Sequence, residues 1–418
     1  MPKFCQFVGA ILLLASPVAA EDWPQWRGPG RDGVSRESGL LQQWPEGGPQ
    51  LAWLSRDAGL GYGGPAVVDG MIYLLGSRDK EEQLIVLDEK TGREAWSAAL
   101  GAEYENRWGN GPRGTPTIAG DVVYVRGARG KLACFQRKTG QPQWAVDLQD
   151  FGGGIPNWGY AESPLVHQGK IVCTPGGDDG AIAALSAETG ELLWQTKALT
   201  TEAHYASPIV VERNRGLEVV QLLQNALVGV DFESGSVNWQ VPWPGRVAVI
   251  PTPLARGDSV YATSGYGVGS TLVRVGSDFD VSKVYDNKVM KNQHGGVIRV
   301  GDHVYGYSDG VGWACQNFAT GDRVWREREA LGKGAIGYAD NRFYCIAEDS
   351  GEVALIAASP EGWKEHGRFT LKPQTQLRKE AGKIWTHPVI ANGTLYLRDQ
   401  ELFFAFDVQA QSRTAAKP

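Results

Sequence analysis

The chain has 418 residues, 55 of them glycine, and a formal net charge of −6 at pH 7. An acidic chain without a basic stripe is not expected to bind nucleic acid, because phosphate backbones are recognised mainly through clustered Lys and Arg. A chain of this length would ordinarily form two or three domains, so a single domain requires a repeat that uses nearly all of it.

The N-terminus has the composition of a secretory leader. The first twenty residues combine Lys3, an apolar run over residues 7–15 and the small-residue stretch Pro-Val-Ala-Ala at 17–20. This order predicts a signal peptide over residues 1–20, cleaved after Ala20. We therefore expect an exported protein, either periplasmic or extracellular. Cys5 comes too early to carry a lipid, and no later apolar stretch is long enough to span a bilayer, so we expect no membrane anchor.

A turn followed by a tryptophan recurs through the rest of the chain. The first four such tryptophans stand 48, 50 and 45 residues apart. The five copies are Thr91-Gly92 with Trp96, Thr139-Gly140 with Trp144, Thr189-Gly190 with Trp194, Ser234-Gly235 with Trp239, and Thr320-Gly321 with Trp325. A period of this size, built from short runs rich in Val, Ile, Tyr and Phe, indicates a β-propeller or another stacked β array.

The number of units follows from the middle strand of each copy. The eight middle strands are marked by Tyr73, Tyr124, Val172, Val220, Tyr261, Tyr305, Tyr344 and Tyr396. The last unit has no tryptophan strand after it, whereas the chain begins with an orphan one around Trp53. The sequence therefore predicts an all-β, eight-bladed propeller of four-stranded antiparallel blades over residues 49–408, closed by the N-terminal strand completing the last blade. An open β-solenoid would not explain a strand missing at one end and supplied at the other.

Two segments flank this repeat. Residues 21–48 are interpreted as an N-terminal arm, and residues 409–418 as a disordered C-terminal tail. The arm contains the run Asp-Trp-Pro-Gln-Trp-Arg-Gly-Pro at 22–29. Packing of Trp23 and Trp26 on the propeller is the preferred interpretation, and a binding role for the arm is the alternative.

The strand-turn-tryptophan unit resembles the repeat of the pyrroloquinoline quinone (PQQ) propeller superfamily, which includes the quinoprotein alcohol dehydrogenases and the outer-membrane assembly lipoprotein BamB. The resemblance covers residues 50–408. It implies that one tryptophan per blade docks against the neighbouring blade and has no chemical role, namely Trp53, Trp96, Trp144, Trp194, Trp239 and Trp325. The run at 22–29 is similar to the N-terminus of secreted PQQ-like repeat proteins abundant in Planctomycetes.

One loop is similar to a cofactor motif of that superfamily. In the quinoprotein alcohol dehydrogenases, a glycine-rich Asn-Trp-Gly segment supplies an asparagine to the calcium held with PQQ. The run Gly152-Gly153-Gly154, followed by Asn157-Trp158-Gly159, matches this pattern and implies a ligand role for Asn157 alone. No two cysteines are adjacent, no counterpart of the glutamate ligand or catalytic aspartate is evident, and no Cys-x-x-Cys-His haem motif occurs. We therefore expect no cofactor, no metal and no catalytic residues, with calcium-bound PQQ as the alternative.

The candidate binding residues lie in loops that join each tryptophan strand to the next blade. These loops occupy one topological position, so they should emerge on one side, at the mouth of the central channel. Their aromatic, Arg, Asn, Glu and His side chains are Arg107, Trp108, Asn110, Arg113, Asn157, Trp158, Tyr160, Glu162, Tyr205, His294, Trp385 and His387. Such a set suits a protein, peptide or carbohydrate ligand. For each residue, packing within the loop is the alternative.

Two functions are consistent with these patterns. The first is a monomeric, non-catalytic binding or scaffold propeller that acts in the periplasm or outside the cell. The second is a PQQ-dependent alcohol or sugar oxidoreductase, that is, a dehydrogenase of the quinoprotein type. The first is preferred because the repeat is intact while the redox features of the enzymes are missing.

Overall fold

A computed structural model describes residues 21–410, so the predicted signal peptide and residues 411–418 of the predicted tail lie outside the described residues. Within this range the chain forms thirty-two β-strands and one short 3-10 helix. The strands form eight sheets of four, each with neighbouring strands antiparallel. The predicted eight-bladed all-β propeller is therefore confirmed.

The first four blades follow one another along the chain. Blade 1 contains β2 (Ala66–Val68), β3 (Met71–Arg78), β4 (Glu81–Asp88) and β5 (Glu94–Ala102). Blade 2 contains β6 (Thr117–Ala119), β7 (Val122–Arg126), β8 (Lys131–Gln136) and β9 (Pro142–Asp147), and the 3-10 helix (Leu148–Phe151) follows it. Blade 3 contains β10 (Leu165–His167), β11 (Lys170–Cys173), β12 (Ala183–Ser186) and β13 (Leu192–Gln195). Blade 4 contains β14 (Ile209–Arg213), β15 (Gly216–Leu222), β16 (Ala226–Asp231) and β17 (Val237–Pro242).

The remaining blades complete the ring. Blade 5 contains β18 (Leu254–Arg256), β19 (Ser259–Ser264), β20 (Gly269–Val275) and β21 (Val281–Asn287). Blade 6 contains β22 (Val297–Val300), β23 (His303–Ser308), β24 (Gly312–Asn317) and β25 (Arg323–Glu327). Blade 7 contains β26 (Gly334–Ala339), β27 (Arg342–Ala347), β28 (Glu352–Ala357) and β29 (Glu365–Thr370). Blade 8 contains β30 (Val389–Ala391), β31 (Thr394–Asp399), β32 (Leu402–Asp407) and, from the other end of the chain, β1 (Gln50–Ser55).

Closure of the ring depends on the pairing of β1 with β32. The two strands are antiparallel, with Trp53 opposite Ala405 and Leu54 opposite Phe404. The predicted closure by the N-terminal strand is thus confirmed. Since both ends of the repeat meet in one blade, the closing pair leaves no unfinished blade at either end.

The hydrophobic core is divided into eight clusters, and each lies between two neighbouring blades. The cluster between blades 8 and 1, for example, joins Phe403 to Ile72 and Leu74. Each blade is packed between two others, so both faces of its middle strands are covered. This explains why the middle strands are apolar on both faces. Each blade is therefore stabilised by both of its neighbours.

The tryptophan of one blade packs on the glycine turn of the next. A Cβ atom placed on Gly92 would lie 2.3 Å from the Trp53 ring, and one placed on Gly190 would lie 2.7 Å from the Trp144 ring. Both glycines have positive φ, at 66° and 77°. The left-handed backbone favours glycine, and the indole occupies the space that a side chain would need. Only glycine therefore fits at this position. This contact explains why the turn and the tryptophan recur together.

A hydrogen bond accompanies this contact. The indole Nε1 donates to the carbonyl oxygen three residues before the glycine, from Trp53 to Glu89 at 2.9 Å and from Trp194 to Phe232 at 3.1 Å. Blade 5 has no tryptophan at this position, and there the Tyr285 hydroxyl donates to the Phe318 carbonyl at 3.0 Å. Tyrosine thus replaces tryptophan in a unit that lacked the sequence pattern.

The residue paired with each tryptophan is small. The pairs are Val86 with Trp96, Cys134 with Trp144, Ala184 with Trp194, Gly229 with Trp239, and Cys315 with Trp325. A large side chain there would compete with the indole for the same space. All four cysteines in the described residues are buried and unpaired. Cys134 and Cys315 are therefore packing residues beside the indole.

The N-terminal arm crosses the channel and closes it. A single short segment can reach blades on opposite sides of a ring only by crossing the axis. Its partners, in ring order, are Val67 with Trp23, Ile118 with Pro24, Pro164 and Pro208 with Arg31, Thr252 with Trp26, Val297 with Arg27, and Tyr338 with Val34. In blade 8, the Gly393 amide donates to Glu37 of the arm at 2.8 Å. The arm therefore contacts all eight blades and converts an open channel into a blind one.

The end of the folded domain differs from the prediction. The predicted tail began at residue 409, but Gln409 pairs with Leu40 of the arm. The Ala410 amide also donates to the Gly39 carbonyl at 2.9 Å. Residues 409 and 410 thus belong to the folded domain, because the arm supplies them with backbone partners that the repeat pattern could not reveal.

Replacing Trp53 with alanine should lower the free energy of unfolding by about 3 kcal/mol, because it removes the ring that covers Gly92 at the closing blade. Leu51→Ala, on the same strand with 42% of its surface exposed, is the control and should change it by less than about 0.5 kcal/mol. Urea denaturation followed by tryptophan fluorescence measures both. Equal effects in the two variants would show that the docked indole does not stabilise the closure.

Replacing Arg31 with methionine should lower the free energy of unfolding by about 3 kcal/mol. The reason is that it leaves the buried carbonyl groups of Ser163, Pro164 and Pro208 without a hydrogen-bond donor. Arg36→Met removes the same charge from an exposed side chain, 3.9 Å from Glu21, and should have little effect. Thermal melts of the two variants give the comparison. A normal melt for Arg31→Met would mean that the arm does not anchor the ring.

Candidate functional site: an aromatic cup at the channel mouth

A cavity lies at the channel mouth, with Trp26 of the arm in its wall. The space within which a water molecule can be centred measures about 190 Å³. The cavity is lined by seventeen residues, which we call the aromatic cup: Trp26, Tyr62, Trp108, Arg113, Trp158, Ala161, Tyr205, Ser207, Ala248, Ile250, Pro251, Thr252, Tyr266, Gln293, His294, Trp385 and His387. Seven of the eight loops that join one blade to the next contribute to it. The common position of these loops in every blade therefore assembles the cup.

Trp385 is at the centre of the aromatic wall. It stacks on His294 with ring centroids 4.9 Å apart and planes 20° apart. Tyr62 and Trp108 meet it at tilts of 41° and 45°. Across the cup, Trp158 meets Tyr205 edge to face, 5.7 Å away at 65°. The contacting rings are mostly tilted to one another, so the wall is curved.

Two histidines join this wall to the arm. The neutral His387 ring donates from Nε2 to the His294 carbonyl oxygen at 2.6 Å and packs 4.8 Å from the Trp26 ring. Burial, together with the nearby Arg27, lowers the pKa of His387 to about 4. Burial, with Lys333 and His387, lowers the pKa of His294 to about 3. Both imidazoles are therefore uncharged at pH 7 and act as aromatic wall.

Arg113 is the only cation among the residues that line the cup. Its guanidinium lies over the Tyr104 ring at 4.9 Å and the Tyr62 ring at 5.7 Å. It donates to the carbonyl oxygens of Gly109, at 2.7 Å, and Gly111, both in its own loop. Burial lowers the pKa of Arg113, but a guanidinium remains protonated in proteins. The buried carboxylate of Glu82 in β4 acts on Arg113 electrostatically. No carboxylate in the described chain lies within 4.0 Å of the guanidinium, and the cup itself contains none.

Acidic groups lie on the opposite side of the ring, beside blades 6 and 7. Asp309 pairs with Lys333 at 3.0 Å, and Lys333 also donates to the Gln293 side chain. Burial raises the pKa of Glu348 to about 7, with Lys333 opposing the shift. The cup therefore has a cationic side at Arg113 and a mixed polar rim across from it.

Seven of the twelve residues predicted from the sequence line the cup: Trp108, Arg113, Trp158, Tyr205, His294, Trp385 and His387. Three others are in the same loops but outside the cavity. Arg107 is exposed and lies over the Trp108 ring at 5.3 Å. The Asn110 amide donates to Glu103 at 3.1 Å. Asn157 is exposed, and its backbone carbonyl accepts bonds from Tyr104 and Asn106.

The last two predicted residues are buried away from the mouth. The Tyr160 hydroxyl donates to the Pro175 carbonyl at 2.9 Å, and the Tyr160 amide is bonded to Ala128 of blade 2. Glu162 pairs with Arg126 at 3.6 Å, and both side chains are 1% exposed. Burial raises the pKa of Glu162. Neither residue lines the mouth as predicted: Ala161 between them faces the cup, whereas the side chains of Tyr160 and Glu162 face blades 3 and 2.

Several cup residues were not predicted. Tyr62 lies in the loop from β1 to β2. This loop also joins a tryptophan strand to the next blade, like the predicted loops, but that strand is β1, which comes from the N-terminus and completes blade 8. The predicted ring closure was the signal that could have identified it. Tyr266 lies in the hairpin between β19 and β20, and Trp26 comes from the arm. These two positions depend on tertiary packing, which the repeat does not encode.

Calcium-bound PQQ does not fit the donor set of the cup. Calcium requires six or more oxygen ligands, usually including carboxylates. The cup has no carboxylate, and Asn157 lies outside it. Glu162 is buried and paired with Arg126. No group of three or more His, Cys, Asp or Glu in residues 21–410 is arranged to hold a metal. The residues that line the cup are suited to stacking and hydrogen bonding.

Comparison with known proteins finds similarity to two groups. The outer membrane protein assembly factor BamB of Burkholderia pseudomallei is 23% identical over 387 residues, covering 82% of this chain and 84% of that protein. A quinohemoprotein alcohol dehydrogenase of Pseudomonas putida is 30% identical over 238 residues, covering 53% of this chain but only 31% of that enzyme. The crystal structure of the quinohemoprotein alcohol dehydrogenase from Comamonas testosteroni superposes with a TM-score of 0.60 at 13% identity, covering 95% of this chain and 82% of that one.

No helix of the described chain is long and apolar enough to cross a membrane. The structural similarity at 13% identity shows a shared fold alone. The family model described as outer membrane protein assembly factor BamB, PQQ_2, matches residues 44–150 and 80–327. The chain therefore belongs to this family of PQQ-like repeat propellers.

Proposed function

We propose that this protein is a non-catalytic binding module that holds a ring-bearing ligand in the aromatic cup. The ligand would be a small molecule or the exposed end of a peptide or carbohydrate. The observation that carries this proposal is the lining itself: seven tryptophan and tyrosine side chains surround a cavity that has no carboxylate. Aromatic walls with a few polar groups are typical of ligand sites.

Hydrogen bonds between neighbouring loops hold the wall of the cup together. The Tyr62 hydroxyl donates to the Trp108 carbonyl at 2.8 Å, and the Thr386 hydroxyl donates to the Tyr62 carbonyl at 3.0 Å. These bonds join the three loops that lead into blades 8, 1 and 2. Tyr104 in turn bonds to the Asn157 carbonyl at 3.0 Å and links the next loop. A ligand would therefore bind with little loss of loop entropy.

We also propose that the protein is exported, either to the periplasm or outside the cell, and acts as a monomer. The proposal of export rests on the charged, apolar and small-residue regions of residues 1–20. The mass of the mature protein tests it, since cleavage would leave Glu21 as the first residue. A mature protein that retains residues 1–20 would contradict export by this route.

The alternative is a PQQ-dependent alcohol or sugar oxidoreductase of the quinoprotein type. It is favoured by the similarity to the quinohemoprotein alcohol dehydrogenase of Pseudomonas putida, which is 30% identical over 238 residues. The donor set opposes it, because a calcium–quinone pair would find stacking surfaces in the cup but no anionic oxygen ligands.

Ala161→Phe should abolish ligand binding, because Ala161 lines the cup and a phenyl group there would fill part of its volume. Ala102→Phe places the same group at an exposed position at the end of β5 and is the matched control. Titration calorimetry against a panel of sugars, oligosaccharides and short peptides measures binding. We expect a compound whose affinity falls at least about tenfold, or 1.4 kcal/mol, in the first variant alone. The absence of any such compound would contradict the proposal.

A second titration separates the binding module from the enzyme. PQQ and calcium are added to the purified protein, followed by a primary alcohol and an artificial electron-accepting dye. We expect neither tight quinone binding nor dye reduction, because the cup lacks ligands for calcium. Tight binding with turnover that Ala161→Phe abolishes would overturn the non-catalytic proposal.

A further inference from the structure

We propose that the cup recognises an acidic sugar, the terminal hexuronate of a glycan, with Arg113 as the contact for its carboxylate. This inference rests on the proposed binding function of the cup and specifies the chemical class of its ligand. It is carried by the incomplete bonding of Arg113, by the tilt of the aromatic rings and by the distribution of charge around the cavity.

The Arg113 side chain is partly exposed in the cup, and its guanidinium makes fewer hydrogen bonds than that of the fully buried Arg398. Arg398 makes five hydrogen bonds to backbone carbonyl oxygens, all between 2.8 and 3.0 Å. Arg113 makes two bonds, both to its own loop, although its guanidinium has five N–H groups. Glu82 acts on Arg113 electrostatically, but no carboxylate of the described residues lies within 4.0 Å of its guanidinium. A carboxylate from a ligand would therefore find N–H groups free to form charged hydrogen bonds.

The shape of the wall favours a saturated ring over a flat one. The rings that contact Trp385 or Trp158 are mostly tilted, at 41°, 45° and 65°. A flat aromatic ligand gains most from parallel or edge-to-face surfaces, whereas a pyranose presents polarised C–H groups in several directions to the negative faces of aromatic rings. The hydroxyls of Ser207 and Thr252 and the amide of Gln293 supply polar groups for sugar hydroxyls.

The charges around the cavity orient such a ligand and limit it to one carboxylate. The histidines of the cup are neutral, so Arg113 is the one positive charge among its lining residues. Asp309 and Glu348 lie beside blades 6 and 7, across the ring from Arg113. A carboxylate would therefore be drawn toward Arg113 and repelled from the opposite rim, which leaves the uncharged part of the sugar against the aromatic wall.

Matched ligands test this inference without altering the protein. D-glucuronate, its neutral amide D-glucuronamide and D-glucose are titrated into the protein by calorimetry, together with benzoate as a flat carboxylate. We expect glucuronate to bind about 10- to 100-fold more tightly than the two neutral sugars, which corresponds to the value of a charged hydrogen bond, and more tightly than benzoate. Equal binding of the three sugars, or tighter binding of benzoate, would overturn the acidic-sugar inference while leaving the binding function intact.

A pair of arginine variants assigns the effect to Arg113. Arg113→Gln should reduce glucuronate affinity to that of glucuronamide, whereas Arg107→Gln removes the same charge from the same loop outside the cavity and should leave it nearly unchanged. Arg113→Lys keeps the charge and should recover part of the selectivity, so a loss caused by loop distortion is distinguished from a loss of charge. Unchanged selectivity in Arg113→Gln, or no glucuronate binding to the wild type, would overturn the inference.

Discussion

The contact between a tryptophan and the glycine turn of the next blade is the constraint on which the structure depends. Trp53, Trp144 and Trp194 each cover a left-handed glycine of the next blade and donate to a carbonyl of the same turn, as Trp53 does with Gly92 and Glu89. The contact fixes the rotation between blades as well as their spacing. The ring of eight blades closes only if the last blade receives its outer strand from the N-terminus, which β1 provides.

The same constraint determines where a ligand site can form. Because all blades have the same orientation, the loops between them lie at one mouth of the channel, and their side chains converge there. The arm then closes the channel from within, held by the buried contacts of Arg27 and Arg31. Without Trp26 and the rest of the arm the mouth would open into a channel. With them it is a blind cup, and its aromatic walls are held by neighbouring loops.

Much of this architecture could be predicted from the sequence because it repeats. Strand number, closure by Trp53 and the side on which the loops emerge all follow from a pattern present in several copies. The site was predictable only in part. Trp108, Trp158 and Trp385 lie in the repeating loops, but the side chains of Tyr160 and Glu162 in the same kind of loop face blades 3 and 2. Which way a loop side chain faces depends on single tertiary contacts, such as the bond from the Tyr160 amide to Ala128.

This chain is similar to quinoprotein enzymes although its cup lacks their calcium ligands. The two findings are compatible because the residues that build a propeller differ from those that form a binding site on it. The scaffold needs small residues and tryptophans at fixed positions, and it tolerates any loop that leaves those contacts intact. A calcium–quinone site would need carboxylate oxygens in the cavity, and here the nearby carboxylate of Glu162 is buried against Arg126. The one cation of the cup, Arg113, has no carboxylate of residues 21–410 within 4.0 Å. A cavity of this kind favours a ligand that brings its own negative charge over one that depends on a bound metal.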